Sequence, residues 1–180
     1  MSDALQLAQR ALKHFNEGTT DRAPSQLTVP VSAYTDEAQF QAERQAVYFE
    51  SPIAIALSLE IPEPGDFQTQ TVMGVPLLIT RDRDGVIHCF INVCRHRGAK
   101  VCSADKGHQP RFSCPYHAWT YSNRGDLIGV YGEDSFGGVD RAAMGLTTLY
   151  CAERAGVVFA CLTPGKSFDI DSWLGEFADK

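Results

Sequence analysis

Two short stretches constrain this chain more than anything else in it. Cys94-Arg95-His96-Arg97-Gly98 and Cys114-Pro115-Tyr116-His117-Ala118-Trp119 each pair one cysteine with one histidine two or three positions later, and fifteen residues separate them. Each follows a segment of strand-forming residues, so each reads as a loop at a strand end. Two such loops facing each other would bring two thiolates and two imidazoles to one place, and the fold must hold those strand ends side by side. Two Cys and two His can bind a single tetrahedral zinc. The usual zinc fingers, however, put both cysteines in one half and both histidines in the other. Mixed halves suit a two-iron cluster, in which one iron takes both cysteines and the other both histidines. Neutral imidazole removes negative charge from its iron and so raises the potential above that of an all-cysteine cluster.

The rest of the composition excludes more than it selects. The chain has 180 residues and a net charge of −6, from 22 acids against 16 bases. Its length fits one domain with some extension. An acidic balance argues against nucleic acid and against an anionic membrane surface as partners. The start, Met1-Ser2-Asp3-Ala4, is polar and carries no secretory signal. The longest apolar runs, Ile53 to Leu57 and Val157 to Leu162, are too short to span a bilayer. The cytoplasm is therefore the expected compartment, and six cysteines there are reduced thiols or metal ligands rather than disulfides.

The hydrophobic pattern changes once. Leu5, Ala8, Leu12 and Phe15 fall at helical spacing, which predicts a helix from Asp3 to Phe15 capped by Ser2 or Asp3. Arg22 to Ala33 reads as extended, and a second helix is expected after Thr35, through Phe40, Ala46 and Val47. From Pro52 onward the pattern is that of strands. They are expected at Ile53–Leu59, Phe67–Met73, Val75–Thr80, Val86–Val93, Arg111–Ser113, Trp119–Ser122, Thr147–Ala152 and Val157–Leu162. Asp82-Arg83-Asp84-Gly85 is a hairpin signal, and a last helix is expected from Asp171. The fold class is mainly β: an antiparallel sandwich with a two-loop metal-binding subdomain, preceded by two helices. The expected divisions are a helical segment at 1–48, the β-domain at 49–165, and 166–180 as a linker or the start of another domain.

The two motifs resemble the Rieske motif, in the form found in the alpha subunits of aromatic ring-hydroxylating dioxygenases. The resemblance runs from about Tyr34 to the end of the chain and includes Pro62 to Asp66 and Asp82 to Gly85. It implies a Rieske 2Fe–2S cluster on Cys94, His96, Cys114 and His117, with no catalytic residue in this chain. Two positions depart from the family: Ala118 stands where glycine is frequent, and His108 where a different polar residue is usual. The extra disulfide-forming cysteines of respiratory Rieske proteins are absent, since Arg97-Gly98-Ala99 and Tyr116 occupy those places. The second loop offers no serine as a hydroxyl donor, so a cluster near the bottom of the Rieske range, about −150 mV, is expected.

The resemblance further implies one-electron transfer from a reductase or ferredoxin, with the outer edges of His96 and His117 passing the electron to a mononuclear Fe(II). In the family that iron sits in a further domain, usually on a neighbouring subunit of a homo-oligomer. Two histidines and a carboxylate hold it. This sequence has five histidines and none after His117, so it cannot build that site beyond the β-domain. Two readings follow. One is the N-terminal part of an oxygenase of aromatic catabolism, inactive alone. The other is a stand-alone carrier like a Rieske ferredoxin. The N-terminal helices and the helix opening at Asp171 favour the first. A structural zinc module is the third reading. Cys89, Cys102, Cys151 and Cys161 are expected in the core, His14 and His108 at the surface, and His88 outward or hydrogen-bonded. Trp119 is expected to pack at a strand start and shield the metal.

Overall fold

The computed structural model describes residues 3–179. They form two compact units, one up to Asp36 and one from Glu37 onward. In the first, helix α1 spans Asp3–Glu17 and none of its residues is buried. The proposed cap Ser2 lies outside the described residues. Past the helix end the chain folds back, and Asp21 pairs with both Arg10 and His14. The expected extended segment stops short of Ala33, because a single helical turn, α2, occupies Ser32–Thr35. Thr35 is thus inside that turn rather than capping the next helix, and its hydroxyl donates to the Val31 carbonyl at 3.3 Å.

The second unit opens with α3, Glu37–Glu43, which continues as a wider π-type turn over Arg44–Phe49. The Arg44 guanidinium sits over the Phe49 ring, 5.0 Å from its centroid, and donates to the Met73 carbonyl at 3.0 Å. Eleven antiparallel strands follow: β1 Ile53–Leu57, β2 Asp66–Val72, β3 Val75–Arg81, β4 Ile87–Ile91, β5 Lys106–His108, β6 Arg111–Ser113, β7 Thr120–Ser122, β8 Leu127–Gly129, β9 Thr148–Leu149, β10 Cys151–Arg154 and β11 Val157–Ala160. They build three sheets, in the orders β1-β11-β10, β5-β2-β3-β4-β9 and β6-β7-β8. A last helix, α4, spans Ile170–Leu174, where the Asp169 side chain accepts from the Ser172 N–H.

The mainly β class therefore holds, and the differences in detail have physical causes. The expected strand Thr147–Ala152 is two strands. The chain leaves the five-stranded sheet after Leu149 and joins the first sheet at Cys151, so one apolar run serves two sheets. Lys106–His108, read as a solvated turn around His108, is an edge strand on β2. All three of its residues are exposed, so no apolar pattern marked it.

β3 explains how two cores fit in so short a chain. Leu77 and Ile79 point into a core shared with β1, β10 and β11, together with Ile55, Val158 and Leu162. Leu78 points the other way, into a core with Phe90, Phe112, Tyr121 and Leu127. A strand covered on both faces reads as a continuous apolar run rather than an alternation, as Val75-Pro76-Leu77-Leu78-Ile79 does.

The third sheet is fastened to the middle one at its β7–β8 turn. The Thr80 hydroxyl donates to the Asn123 carbonyl at 2.6 Å, and Asn123 Nδ2 donates to the Arg81 carbonyl at 3.3 Å. Gly125 lies against Phe90, where a Cβ would collide with the ring. Arg124 reaches the fully buried Asp82 at 2.8 Å and also pairs with Asp84. Asp82 further meets His88 Nε2 at 3.0 Å and the N–H groups of Asp84 and Val86, each at 2.9 Å. Burial alone would raise its pKa. The His88, backbone and Arg124 contacts outweigh that and bring it to about 2.

The folded value lies below the unfolded one, so this stabilisation is present above about pH 4 and is lost as pH falls through about 2. It amounts to about 2 kcal/mol at neutral pH. Asp82→Asn is expected to lose about that much in urea unfolding at pH 7, and the gap between the two proteins should close as pH falls from about 4 to about 2. A gap that stayed constant over that window would assign the loss to shape rather than charge.

Candidate metal centre

Both motif loops leave and rejoin the sheets by the same turn. In the first, the Cys94 N–H donates to the Ala99 carbonyl at 2.7 Å, and the Gly98 N–H donates to the Cys94 carbonyl at 2.9 Å. In the second, the Cys114 N–H donates to the Trp119 carbonyl at 2.8 Å, and the Ala118 N–H to the Cys114 carbonyl at 2.9 Å. The fifth residue of each turn has a positive φ, 73° at Gly98 and 53° at Ala118. Glycine adopts that left-handed region freely, whereas alanine pays about 1 kcal/mol for it. This is the physical meaning of an alanine where glycine is frequent.

The two turns set four donors opposite one another. The Cys94 and Cys114 side chains are buried in one core cluster, each 3% exposed, and the Cys94 sulfur is near enough to help push the Cys114 thiol up. The rings of His96 and His117 meet edge to face, centroids 4.7 Å apart. The donors thus pair by element, sulfur with sulfur and nitrogen with nitrogen, although each loop supplies one of each. A centre with two metal positions fits this pairing better than one tetrahedral ion does.

Electrostatics at the site favour ligation. Burial, with His117 and Arg97 nearby, holds the His96 imidazole below its usual pKa, so it is neutral at pH 7. His96 Nδ1 is buried and has no hydrogen-bond partner. An unsatisfied buried polar atom costs about 1–3 kcal/mol, and a bound metal would satisfy this one. Burial and the neighbouring Cys94 push the Cys114 thiol up, while the N–H groups of Tyr116 and His117 act the other way on its sulfur. Those N–H groups are placed to steady a thiolate.

Aromatic rings enclose the histidines. Trp119, 4% exposed, stacks on His96 with centroids 5.0 Å apart and planes at 8°. Phe136 meets both rings edge-on, at 5.3 Å from His96 and 6.0 Å from Trp119. Tyr116 packs against His117 at 3.8 Å. The expected shielding role of Trp119 thus has a geometry, and Phe136 shares it.

The family model described as Rieske [2Fe-2S] domain matches residues 51–139. The chain contains a Rieske iron–sulfur domain. The alpha subunit of biphenyl 2,3-dioxygenase from Rhodococcus jostii (strain RHA1) is 34% identical over 79% of this chain and 31% of its own length. The oxygenase subunit of glycine betaine monooxygenase from Pseudomonas aeruginosa (strain UCBPP-PA14) is 32% identical over 75% of this chain and 31% of its own. The structure of naphthalene 1,2-dioxygenase from Rhodococcus sp. bound to indole superposes with a TM-score of 0.76 at 32% identity, covering 98% of this chain and 39% of that one. The chain therefore spans about a third of the length of the curated relatives it matches.

The Rieske domain has one donor that sequence reasoning missed. The Tyr121 hydroxyl lies 3.3 Å from Cys94 Sγ, and the Arg95 N–H donates to the same oxygen at 3.1 Å. The oxygen is thereby an acceptor from Arg95, which leaves its own proton for the sulfur. Burial and the Cys94 sulfur raise the Tyr121 pKa, so that proton stays on. The second loop has no serine, as the sequence says, and the hydroxyl at Cys94 comes instead from Tyr121 on β7. No sequence signal separates this tyrosine from an ordinary core aromatic. Phe136 was missed for a similar reason, since it ends a short 3-10 turn, Glu133–Phe136, between glycines and without periodicity. The other cysteines are where core residues belong: Cys89 and Cys161 are fully buried, Cys102 is buried, and Cys151 is half-buried.

Two outcomes follow. Ala118→Gly should raise stability by about 1 kcal/mol in chemical denaturation, because it removes left-handed strain. In the iron-loaded protein, Tyr121→Phe should lower the midpoint potential by about 40 mV, the equivalent of one hydrogen bond of about 1 kcal/mol to the reduced state. Redox titration reads it, and an unchanged midpoint would mean that the hydroxyl gives nothing to the sulfur.

Proposed function

We propose that Cys94, His96, Cys114 and His117 hold the 2Fe–2S cluster, and that the chain is the electron-relay part of a Rieske oxygenase. The observation that carries this reading is the pairing of sulfur with sulfur and imidazole with imidazole across two matched turns, with His96 Nδ1 buried and unpartnered. When bound, the cluster supplies reversible one-electron exchange. The chain's own residues do the rest. Cys94 and Cys114 hold the buried side. His96 and His117 form the outer side, and both rings are half-buried rather than enclosed. Trp119 and Phe136 limit water at His96, and Tyr121 with the backbone N–H groups of the second loop stabilises negative charge on sulfur.

The electron's destination, in this reading, is a mononuclear non-haem iron, and its source is a reductase or ferredoxin. The relatives named above include a dioxygenase and a monooxygenase at similar identity, so the relay role is the part that the likeness supports for both. The division proposed is a helical segment at 1–48, the Rieske domain at 49–165, and a segment at 166–180 that leads on from it.

Iron and sulfide analysis should find two of each per chain. The dithionite-reduced protein should give an EPR signal with nitrogen couplings from two imidazoles. Cys94→Ser and Cys114→Ser should lose the iron, while Cys102→Ser and His88→Ala keep it. One zinc per chain and no signal on reduction would overturn the reading.

A further inference from the structure

The two ligand loops are closed at the base in different ways. The second is the tip of a hairpin: β6 and β7 pair up to Ser113 opposite Thr120, so a backbone ladder holds its two ends together. The first has no such ladder. β4 ends at Ile91, and the next strand, β5, starts at Lys106 and pairs with β2 instead. One side chain takes the place of the missing strand pair. Asn92 is fully buried. Its Oδ1 accepts from the Val101 N–H at 3.2 Å and from the Cys102 N–H at 3.0 Å, and its Nδ2 donates to the Cys102 carbonyl at 2.8 Å. Cys102 thus exchanges both of its backbone groups with one amide, as a residue in a hydrogen-bonded antiparallel pair does with the opposite strand. The place calls for a short side chain with an acceptor and a donor, which asparagine has and which aspartate, lacking the donor, does not.

The clamp is rooted and it is close to the ligands. The Asn92 N–H donates to the Pro76 carbonyl at 2.8 Å, on the strand β3 that both cores share. Cys94 is two residues further on, and its N–H meets the Ala99 carbonyl two residues before Val101. The turn that carries Cys94 and His96 therefore stands directly on the Asn92 amide. Val101 and Cys102 lie in the same core as Cys94. The turn must also meet β7, where the Tyr121 hydroxyl accepts from the Arg95 N–H at 3.1 Å and lies 3.3 Å from Cys94 Sγ. A shift of the turn opens both of those contacts. We propose that Asn92 is a positioning residue for the metal centre: by closing the base of the first loop it sets where Cys94 and His96 stand against the second loop, and so the centre's potential. The proposal rests on the cluster reading and adds the residue that holds half of its ligands in place. Asn92 acts through the backbone and touches no metal.

The test compares three iron-loaded variants with the parent chain. Asn92→Leu keeps the branched outline of the side chain and removes all three hydrogen bonds. Asn92→Ser is smaller and keeps one hydroxyl. Val158→Ala is the control, at a fully buried residue of the other core. All three are expected to unfold at lower urea, so stability alone does not separate positioning from plain support. Three other readouts do. Both Asn92 variants should release iron to a chelator about tenfold faster than the parent, while Val158→Ala releases it at the parent's rate. Redox titration should place both Asn92 variants at a lower midpoint, since the Tyr121 hydroxyl no longer reaches the sulfur, and leave the control unmoved. Pulsed EPR of the reduced proteins should shift the nitrogen coupling of one imidazole, that of His96, and leave the other where it is. A parental midpoint and parental couplings in both Asn92 variants would overturn the proposal. So would equal shifts in Val158→Ala, since they would then follow from lost stability in general. If neither Asn92 variant folds while Val158→Ala does, Asn92 belongs to the fold and the positioning role falls. A parent chain that takes up no 2Fe–2S cluster sinks the relay reading and this one together. A loaded parent whose Asn92 variants keep its potential and couplings sinks this one alone.

Discussion

The ligand loops can face each other only because a small third sheet is held against the middle one, and a buried carboxylate is the fastening. Asp82 lies at the end of β3 with almost no exposure, and it gathers Arg124, His88 and two backbone N–H groups. A buried carboxylate without those partners would be strongly destabilising; with them it fixes where the β7–β8 turn sits. Gly125 then lets that turn press against Phe90, and Leu146 donates to the Gly125 carbonyl at 2.8 Å from the far side. With the turn fixed, β6 and β7 run in register from Arg111 opposite Ser122 to Ser113 opposite Thr120. The second loop leaves from that end, opposite the first.

The site built on this frame is held by backbone more than by side chains. Both turns close through the same pair of main-chain hydrogen bonds, which fix where Cys94 and Cys114 leave the backbone. Backbone-closed turns of this kind orient metal-binding side chains. What the protein leaves unfinished is informative as well. His96 Nδ1 and Trp119 Nε1 are buried without partners, in a site that also holds the buried Cys94 and Cys114 thiols. Their cost is tolerable in a site completed by a bound group, and hard to account for in a plain core.

Much of the centre was legible in the chain, because its ligands come from local motifs. Cys94, His96, Cys114 and His117 are recognisable by residue type and spacing, and the strands that lead into them by β-branched and aromatic content. The second tier was not legible. Tyr121 acts on a loop 26 residues away, Phe136 comes from a stretch without pattern, and Arg81 bonds to Glu153 across 72 residues. β5 was hidden because all its residues are exposed, so pairing with β2 rather than burial makes it a strand. Local propensity carries no information about such partners, which depend on which strand ends the sheets bring together.

By itself the sequence determined the chemistry on offer: two thiolates and two imidazoles on two strand-end loops, a mainly β fold, and an acidic chain. Those properties follow from residue type and short-range spacing. Only the tertiary structure decided how the donors pair, which hydroxyl reaches Cys94 and which rings cover His96. Each of these is a distance between residues far apart in the chain, and the three sheets packed through β3 set those distances.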